Sequence, residues 1–141
     1  MSFRPSTNEV WGTYRNERIA LGGSDPGDFY GGDTTATFLA TDVEQAWDAI
    51  GPYVLHEANA NGAWAAAAGA NTGYRQAVDV AALRATGQYK VVTPDDLVAQ
   101  LEAQGPYAFA LFHPLMGGIP PELGWGSLRL FEHHVLPRLS A

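Results

Sequence analysis

The segment Tyr107–Pro137, which has the sequence YAFALFHPLMGGIPPELGWGSLRLFEHHVLP, decides the fold of this chain. Its opening run, Tyr107–Phe112, is apolar and aromatic, which predicts a buried strand. A loop rich in Gly and Pro follows over His113–Pro121. Apolar residues then recur at helical spacing, which predicts a helix over Glu122–Val135 that stops before the next proline. A strand, a loop and a helix in this order are the unit that closes a parallel (β/α) barrel.

A second hydrophobic run lies upstream, at Thr34–Ala40, and it is also followed by a predicted helix. Two such units predict an α/β fold with a parallel sheet. Tyr89–Val92 is a short extended piece, and Thr93–Asp96 is a strong helix start, with Thr as N-cap and Pro in the first position. Pro52 either kinks the helix that begins near residue 43 or starts a new one. Other helices are predicted over 7–21, where Ser6 and Glu9 have capping-box spacing, 54–68 and 76–85.

Two strands alone form neither a stable open sheet nor a barrel, because both would keep unpaired edges. The chain has 141 residues, the length of a single domain. It is therefore expected to pair with another chain, most simply with copies of itself.

The charge of the chain restricts its partners. The net charge is −7, and Lys90 is the only lysine. Without a basic stripe, neither a nucleic acid nor an anionic membrane surface is an expected partner. There are no cysteines, which excludes disulfides and thiolate metal sites. The polar N-terminus and the lack of a long apolar run predict a cytoplasmic protein.

The ordered motifs of the chain resemble the C-terminal part of the luciferase-like flavin-dependent monooxygenase family. The resemblance begins with Phe38–Asp42 and Ala46-Trp47, which are similar to the seventh strand of that barrel and its helix. Gly51–Ala58 is similar to the insertion that follows that helix. Tyr89–Asp96 is similar to the segment before the eighth strand, and Pro114–Glu122 is similar to the closing loop.

The resemblance implies a single truncated domain over residues 1–141, a partial (β/α) barrel that corresponds to the last βα units of a TIM barrel and is completed by oligomerisation. It also implies an oxidoreductase that acts on a small hydrophobic organic substrate, with FMN or a deazaflavin at a subunit interface. The chain lacks the counterparts of strands one to six and has no Gly-rich phosphate loop at a helix start. Most of the flavin phosphate site is therefore missing, and no cofactor-binding residue is assigned.

The candidate site residues lie where strands end and where polar residues interrupt an apolar helix. His113 directly follows the last strand and could act as a general acid or base, or it could only cap the loop. His56 and Asn59 lie one turn apart, beside Glu57, and either line a pocket with Trp64 or form an interface network. Glu122 is either a carboxylate facing the pocket or a helix cap. Substrate contacts are expected from Met116, Gly117, Trp125, Asn59 and Trp64.

The histidines show no metal-ligand spacing. The adjacent pair His133-His134 is expected to point to different sides of a helix, so no metal site is predicted.

Two functional alternatives remain open beside the oxidoreductase. The pocket could serve a non-redox enzyme, such as a cyclase, an isomerase or a dehydratase. The chain could also be a non-catalytic subunit that completes a barrel with a separate partner.

Overall fold

A computed structural model describes residues 4–27, 35–69, 74–105 and 108–139, without the side chains of residues 4–9. The chain divides into two compact units, residues 1–31 and 32–141. The side chains of the predicted Ser6–Glu9 capping box and the residues Thr34 and Tyr107 of the predicted strands fall outside what is described.

The first unit contains helix α1 (Arg4–Ala20) and the segment that follows it to residue 27. The predicted helix 7–21 is confirmed, but it starts three residues earlier, so Ser6 lies inside the helix and is not its N-cap. Two arginines on α1 hold the following segment: Arg15 forms an ion pair with Asp25 at 2.7 Å, and Arg18 donates to the backbone oxygen of Ser24.

The second unit contains a parallel sheet of three strands, β1 (Ala36–Leu39), β2 (Tyr89–Val92) and β3 (Leu111–Phe112), in the order β2-β1-β3. The predicted parallel sheet is thus confirmed, although it has three strands where two were predicted. The third is β2 (Tyr89–Val92), the segment predicted only as a short extended piece. In the centre, β1 (Ala36–Leu39) has two fully buried residues at its end, Phe38 and Leu39.

The last strand, β3 (Leu111–Phe112), is much shorter than predicted. Before it, the N–H of Ala108 donates to the oxygen of Gly105 at 3.0 Å, and residues 108–110 lie outside the ladder. The pairing with β1 covers only Ala36–Leu111 and Thr37–Phe112.

Helices cover both faces of the sheet because successive side chains of a strand point to opposite faces. On one face, Phe38 and Val91 pack with helix α2 (Val43–Ala67) and with Leu83 of helix α3 (Val80–Thr86). α3 begins four residues later than predicted, because the side chain of Asp79 accepts from the N–H of Ala82 and caps it there.

Helix α2 is one continuous helix across Pro52. The side chain of Asp42 caps its start by accepting from the N–H of Gln45 at 2.9 Å. Pro52 cannot donate to the oxygen of Asp48, but both residues lie on the exposed face, where water can serve that oxygen. Neither a second helix nor a new start is therefore needed at Pro52.

The opposite face is covered by helix α4 (Pro94–Gln104) and by the last helix of the chain. Its core contains Leu39, Leu97 and Val135. The predicted start of α4 is confirmed: the Thr93 hydroxyl accepts from the N–H of Asp96, and the Asp96 carboxylate accepts from the N–H of Thr93.

The last helix was predicted to stop before Pro137, and this is wrong. Helix α5 (Pro121–Leu130) continues through a π-helical segment, Phe131–Val135, into helix α6 (Leu136–Leu139). In an α-helix the ring of Pro137 would clash with the carbonyl four residues earlier. The wider π turn, in which the N–H of Leu136 donates to the oxygen of Phe131, relieves that clash and lets the helix continue.

Helix α5 also takes the place of a strand beside β1. The N–H of Leu39 lies beyond the end of β3, and it donates to the hydroxyl of Ser127 at 2.7 Å. Gly124 lets α5 lie close to the loop after β3, because a Cβ there would lie 2.7 Å from the backbone oxygen of Pro114.

Candidate functional site

The carboxylate of Glu57 connects three parts of the second unit. Glu57 lies on α2, and its side chain is only 11% exposed. One oxygen, Oε2, accepts a short hydrogen bond of 2.6 Å from the backbone N–H of Gly117. The other, Oε1, lies 3.5 Å from both His113 Nδ1 and the hydroxyl of Tyr89. A charge-assisted bond of this kind fixes the loop after β3 on α2.

His113 directly follows β3, as predicted, and its side chain is 55% exposed. A carboxylate that faces Nδ1 favours the proton on that nitrogen, which leaves Nε2 as the acceptor. Nε2 is then the atom that can take a proton from a bound molecule. The arrangement is that of a carboxylate-oriented imidazole, which suits general acid and base chemistry.

Tyr89 supplies the third polar group of the cluster. It lies at the start of β2, and its side chain is buried. Burial, and then the nearby charge of Glu57, raise the pKa of its phenol far above the ordinary value of about 10. The hydroxyl therefore keeps its proton at neutral pH and acts only as a donor to the carboxylate.

The loop can approach α2 this closely because of a glycine. Gly117 has a positive φ of 60°, and a Cβ on it would overlap the backbone oxygen of Tyr53. Any other residue would push the Gly117 N–H away from Glu57. Gly117, which was predicted as a substrate contact, therefore approaches the backbone of helix α2.

The other predicted site residues lie apart from this cluster. Met116 is buried in the core. The amide of Asn59 bonds the backbone of Ala77 in both directions, at 2.8 and 3.1 Å, so it anchors the segment before α3. His56 lies on the exposed side of α2, and Glu122 is exposed in the first turn of α5. Two tryptophans are largely exposed: Trp64 on α2 and Trp125 on α5.

The sequence prediction did not select Glu57 or Tyr89. A signal for Glu57 was available, because it follows Ile50 by seven residues and Val54 by three, both of which are buried. A carboxylate at the margin of a buried helix stripe needs a partner. Nothing in the local sequence of Tyr89 indicates that its hydroxyl reaches α2.

The adjacent histidines of the last helix, His133 and His134, were expected to point to different sides of it. Both line one open cavity of about 450 Å³. They lie in the π-helical segment Phe131–Val135. In the described parts of the chain, no group of three or more acidic or imidazole side chains could hold a metal ion.

No family model, curated protein or solved structure matches the chain. Within residues 4–27, 35–69, 74–105 and 108–139, no helix combines the length and apolarity that crossing a membrane requires.

Proposed function

We propose that the chain is the closing part of a luciferase-like barrel and that Glu57 and His113 form its acid–base pair, acting on a hydrophobic organic substrate. The contact between Glu57 Oε1 and His113 Nδ1 is the observation that supports this most. It orients an exposed imidazole directly after a parallel strand, on the side where α/β proteins bind their substrates.

The open edges of the sheet support the proposal that further strands complete a barrel. Two strands flank β1, so the outer edges of β2 and β3 are available for pairing. β1 and β3 are neighbours and parallel, as the last two strands of a barrel are. β2 lies on the other side of β1, so additional strands from a second copy or from another subunit would join at β2 and β3.

The described residues do not fit a flavin phosphate at a helix start. Anions bind there to free N–H groups in the positive field of the helix. Here the first turns of α2, α4 and α5 carry Glu44, Asp95 with Asp96, and Glu122, and side chains already cap α2 and α4. In the redox version of the proposal, the partner strands would therefore hold that phosphate.

A non-redox reaction is the second candidate, and the Glu57–His113 pair favours it. In this version His113 Nε2 removes a proton from the carbon beside a carbonyl group. It returns the proton to another carbon in an isomerase, or to a hydroxyl group that leaves as water in a dehydratase. The step needs no cofactor.

Light scattering tests the assembly. We expect a homo-oligomer, and Leu111→Lys should weaken it, because Leu111 is exposed on β3. Leu115→Lys, a matched change just outside the strand, is the control. A stable monomer both for the purified chain alone and when mixed with candidate partner subunits would contradict the barrel proposal.

Two measurements then separate the chemistries. An absorption spectrum with stoichiometric flavin in the purified assembly would support the redox version. Otherwise, we expect deuterium from D₂O to enter hydrophobic ketones beside the carbonyl, with His113→Ala at least about tenfold slower and His56→Ala unchanged. Equal exchange in wild type and His113→Ala would remove His113 from the proposal.

A further inference from the structure

The second unit holds an open cavity away from Glu57, at the carboxyl ends of β1 and β2. Its volume is about 450 Å³. Thr41 and Thr93, which follow these two strands, form one side, and Leu130, His133, His134 and Arg138 of the last helix form the other. The carboxyl ends of parallel strands are where open α/β sheets bind ligands.

The charge of the side chains that line this cavity differs from the net charge of the whole chain. The whole chain carries a net charge of −7, yet two imidazoles and a guanidinium meet here. The one lining carboxylate, Asp95, is neutralised by Arg138, whose Nη1 lies 2.6 Å from it. With both imidazoles neutral, the lining side chains carry no net charge, whereas the chain as a whole is acidic.

Hydrogen-bond donors remain available in the cavity. Arg138 uses one donor for Asp95, and its other guanidinium donors have no partner among the described residues. The imidazole of His133 has only a distant contact with Glu132, at 3.9 Å. Guanidinium and imidazole N–H groups are the donors that bind carboxylates and phosphates.

The rest of the wall is apolar and determines the body of the ligand. Leu130 and Pro94 line the cavity beside the polar groups. A small inorganic ion would leave this apolar wall uncovered, whereas an aromatic or alkyl group would cover it.

Two of the donors belong to the π-helical segment. His133 and His134 both lie in it, and both line the cavity. π turns interrupt helices frequently at functional sites.

From these observations we propose that this cavity binds a small organic anion, with its carboxylate or phosphate group on His133, His134 and Arg138 and its apolar body on Leu130 and Pro94. The site is separate from the Glu57–His113 pair and does not depend on the function proposed for it.

NMR titration of the full chain tests this inference, with phenyl phosphate and benzoate as probes and benzyl alcohol as the neutral analogue. The ring signals of His133 and His134 should shift in a saturable way with a Kd of about 1 mM or tighter for at least one anion. Whichever anion binds more tightly identifies the preferred head group. The signal of His56, an exposed histidine on α2, should not move.

Variants provide the second readout. His133→Asn with His134→Asn should weaken binding at least about tenfold, the loss of roughly 1.4 kcal/mol of interaction, and Arg138→Gln should weaken it as well. The three substituted side chains are exposed, so circular dichroism should show an unchanged fold. Equal binding of benzyl alcohol, or no saturable shift of either histidine with both anions, would overturn the proposal.

Discussion

The backbone groups on the two edges of β1 have different hydrogen-bond partners. Towards β2, the ladder covers all four residues of the strand and continues to the N–H of Ala40, which donates to the oxygen of Val92 at 3.1 Å. Towards β3, the ladder ends at Thr37, and the hydroxyl of Ser127 replaces the missing strand at Leu39. Every buried backbone donor needs a partner, but the partner need not be a strand.

This difference determines where the candidate site forms. On the β2 side, the backbone groups of β1 and β2 bond to each other, and only the hydroxyl of Tyr89 reaches Glu57. On the β3 side, the chain leaves the sheet after Phe112, so His113 and Gly117 are free to reach Glu57 on α2. The loop after the short strand β3 therefore carries the functional groups.

The largest expected effect comes from blocking that loop. Gly117→Ala should destabilise the fold by about 3 kcal/mol or more, because it adds a left-handed backbone penalty to an overlap with the Tyr53 carbonyl. Urea denaturation measures the change. Gly118→Ala is the matched control: its φ is also positive, at 86°, but the space around it is open, so it should cost only about 1 kcal/mol. Equal losses for the two variants would mean that the loop does not pack closely on α2.

Removing the charge that holds the loop should have the next largest effect. Glu57→Gln weakens the short bond to the Gly117 N–H and should cost about 2 kcal/mol. Glu122→Gln, an exposed carboxylate in a helix first turn, should change the free energy of unfolding by less than about 0.5 kcal/mol. If both changes prove equally mild, Glu57 does not organise the loop.

Ser127→Ala tests the replacement of the strand directly. It leaves the buried N–H of Leu39 without its acceptor and should cost about 1 to 2 kcal/mol. Hydrogen exchange at Leu39 should become faster, while exchange at Ala40, whose N–H bonds to β2, should change less. Thr41→Ala removes an exposed hydroxyl near the same end of β1 and is the control. Unchanged protection of Leu39 would show that Ser127 does not complete β1.

The smallest expected effect is a pH dependence on the β2 side. The folded state raises the pKa of Tyr89 above its unfolded value of about 10. The folded protein therefore holds that proton more tightly, so this contribution to stability is fully present below pH of about 10 and falls as the pH rises further. Tyr89→Phe should flatten the decline in thermal stability above that pH. An identical decline in the variant would assign the effect to other groups.

Local signals in the sequence predicted much of the fold. Thr93, Pro94 and Asp96 define the start of α4 by their own side chains, and two apolar runs predicted two of the parallel strands. Such features depend on neighbours in sequence. The length of β3 and the continuation of the last helix depend on tertiary contacts and on a π turn, which the apolar pattern does not encode.

The candidate site was predicted only in part, for a similar reason. His113 was selected because it follows a strand, and Gly117 as a substrate contact in the loop after that strand. Glu57 and Tyr89 join them through contacts across 60 and 32 residues of sequence. Contacts between residues so distant in sequence depend on the order of the strands in the sheet. The periodicity of residues within one segment does not predict that order.

The separation between Glu57 and Gly117 also has a consequence during synthesis. The two partners of the 2.6 Å bond are 60 residues apart, and the carboxylate is made first. At ribosomal rates, about 3 to 12 seconds pass before its partner is translated. Until then water solvates the carboxylate, because its partner in the folded protein does not yet exist. The closing loop can therefore be fastened to α2 only after residue 117 has been made.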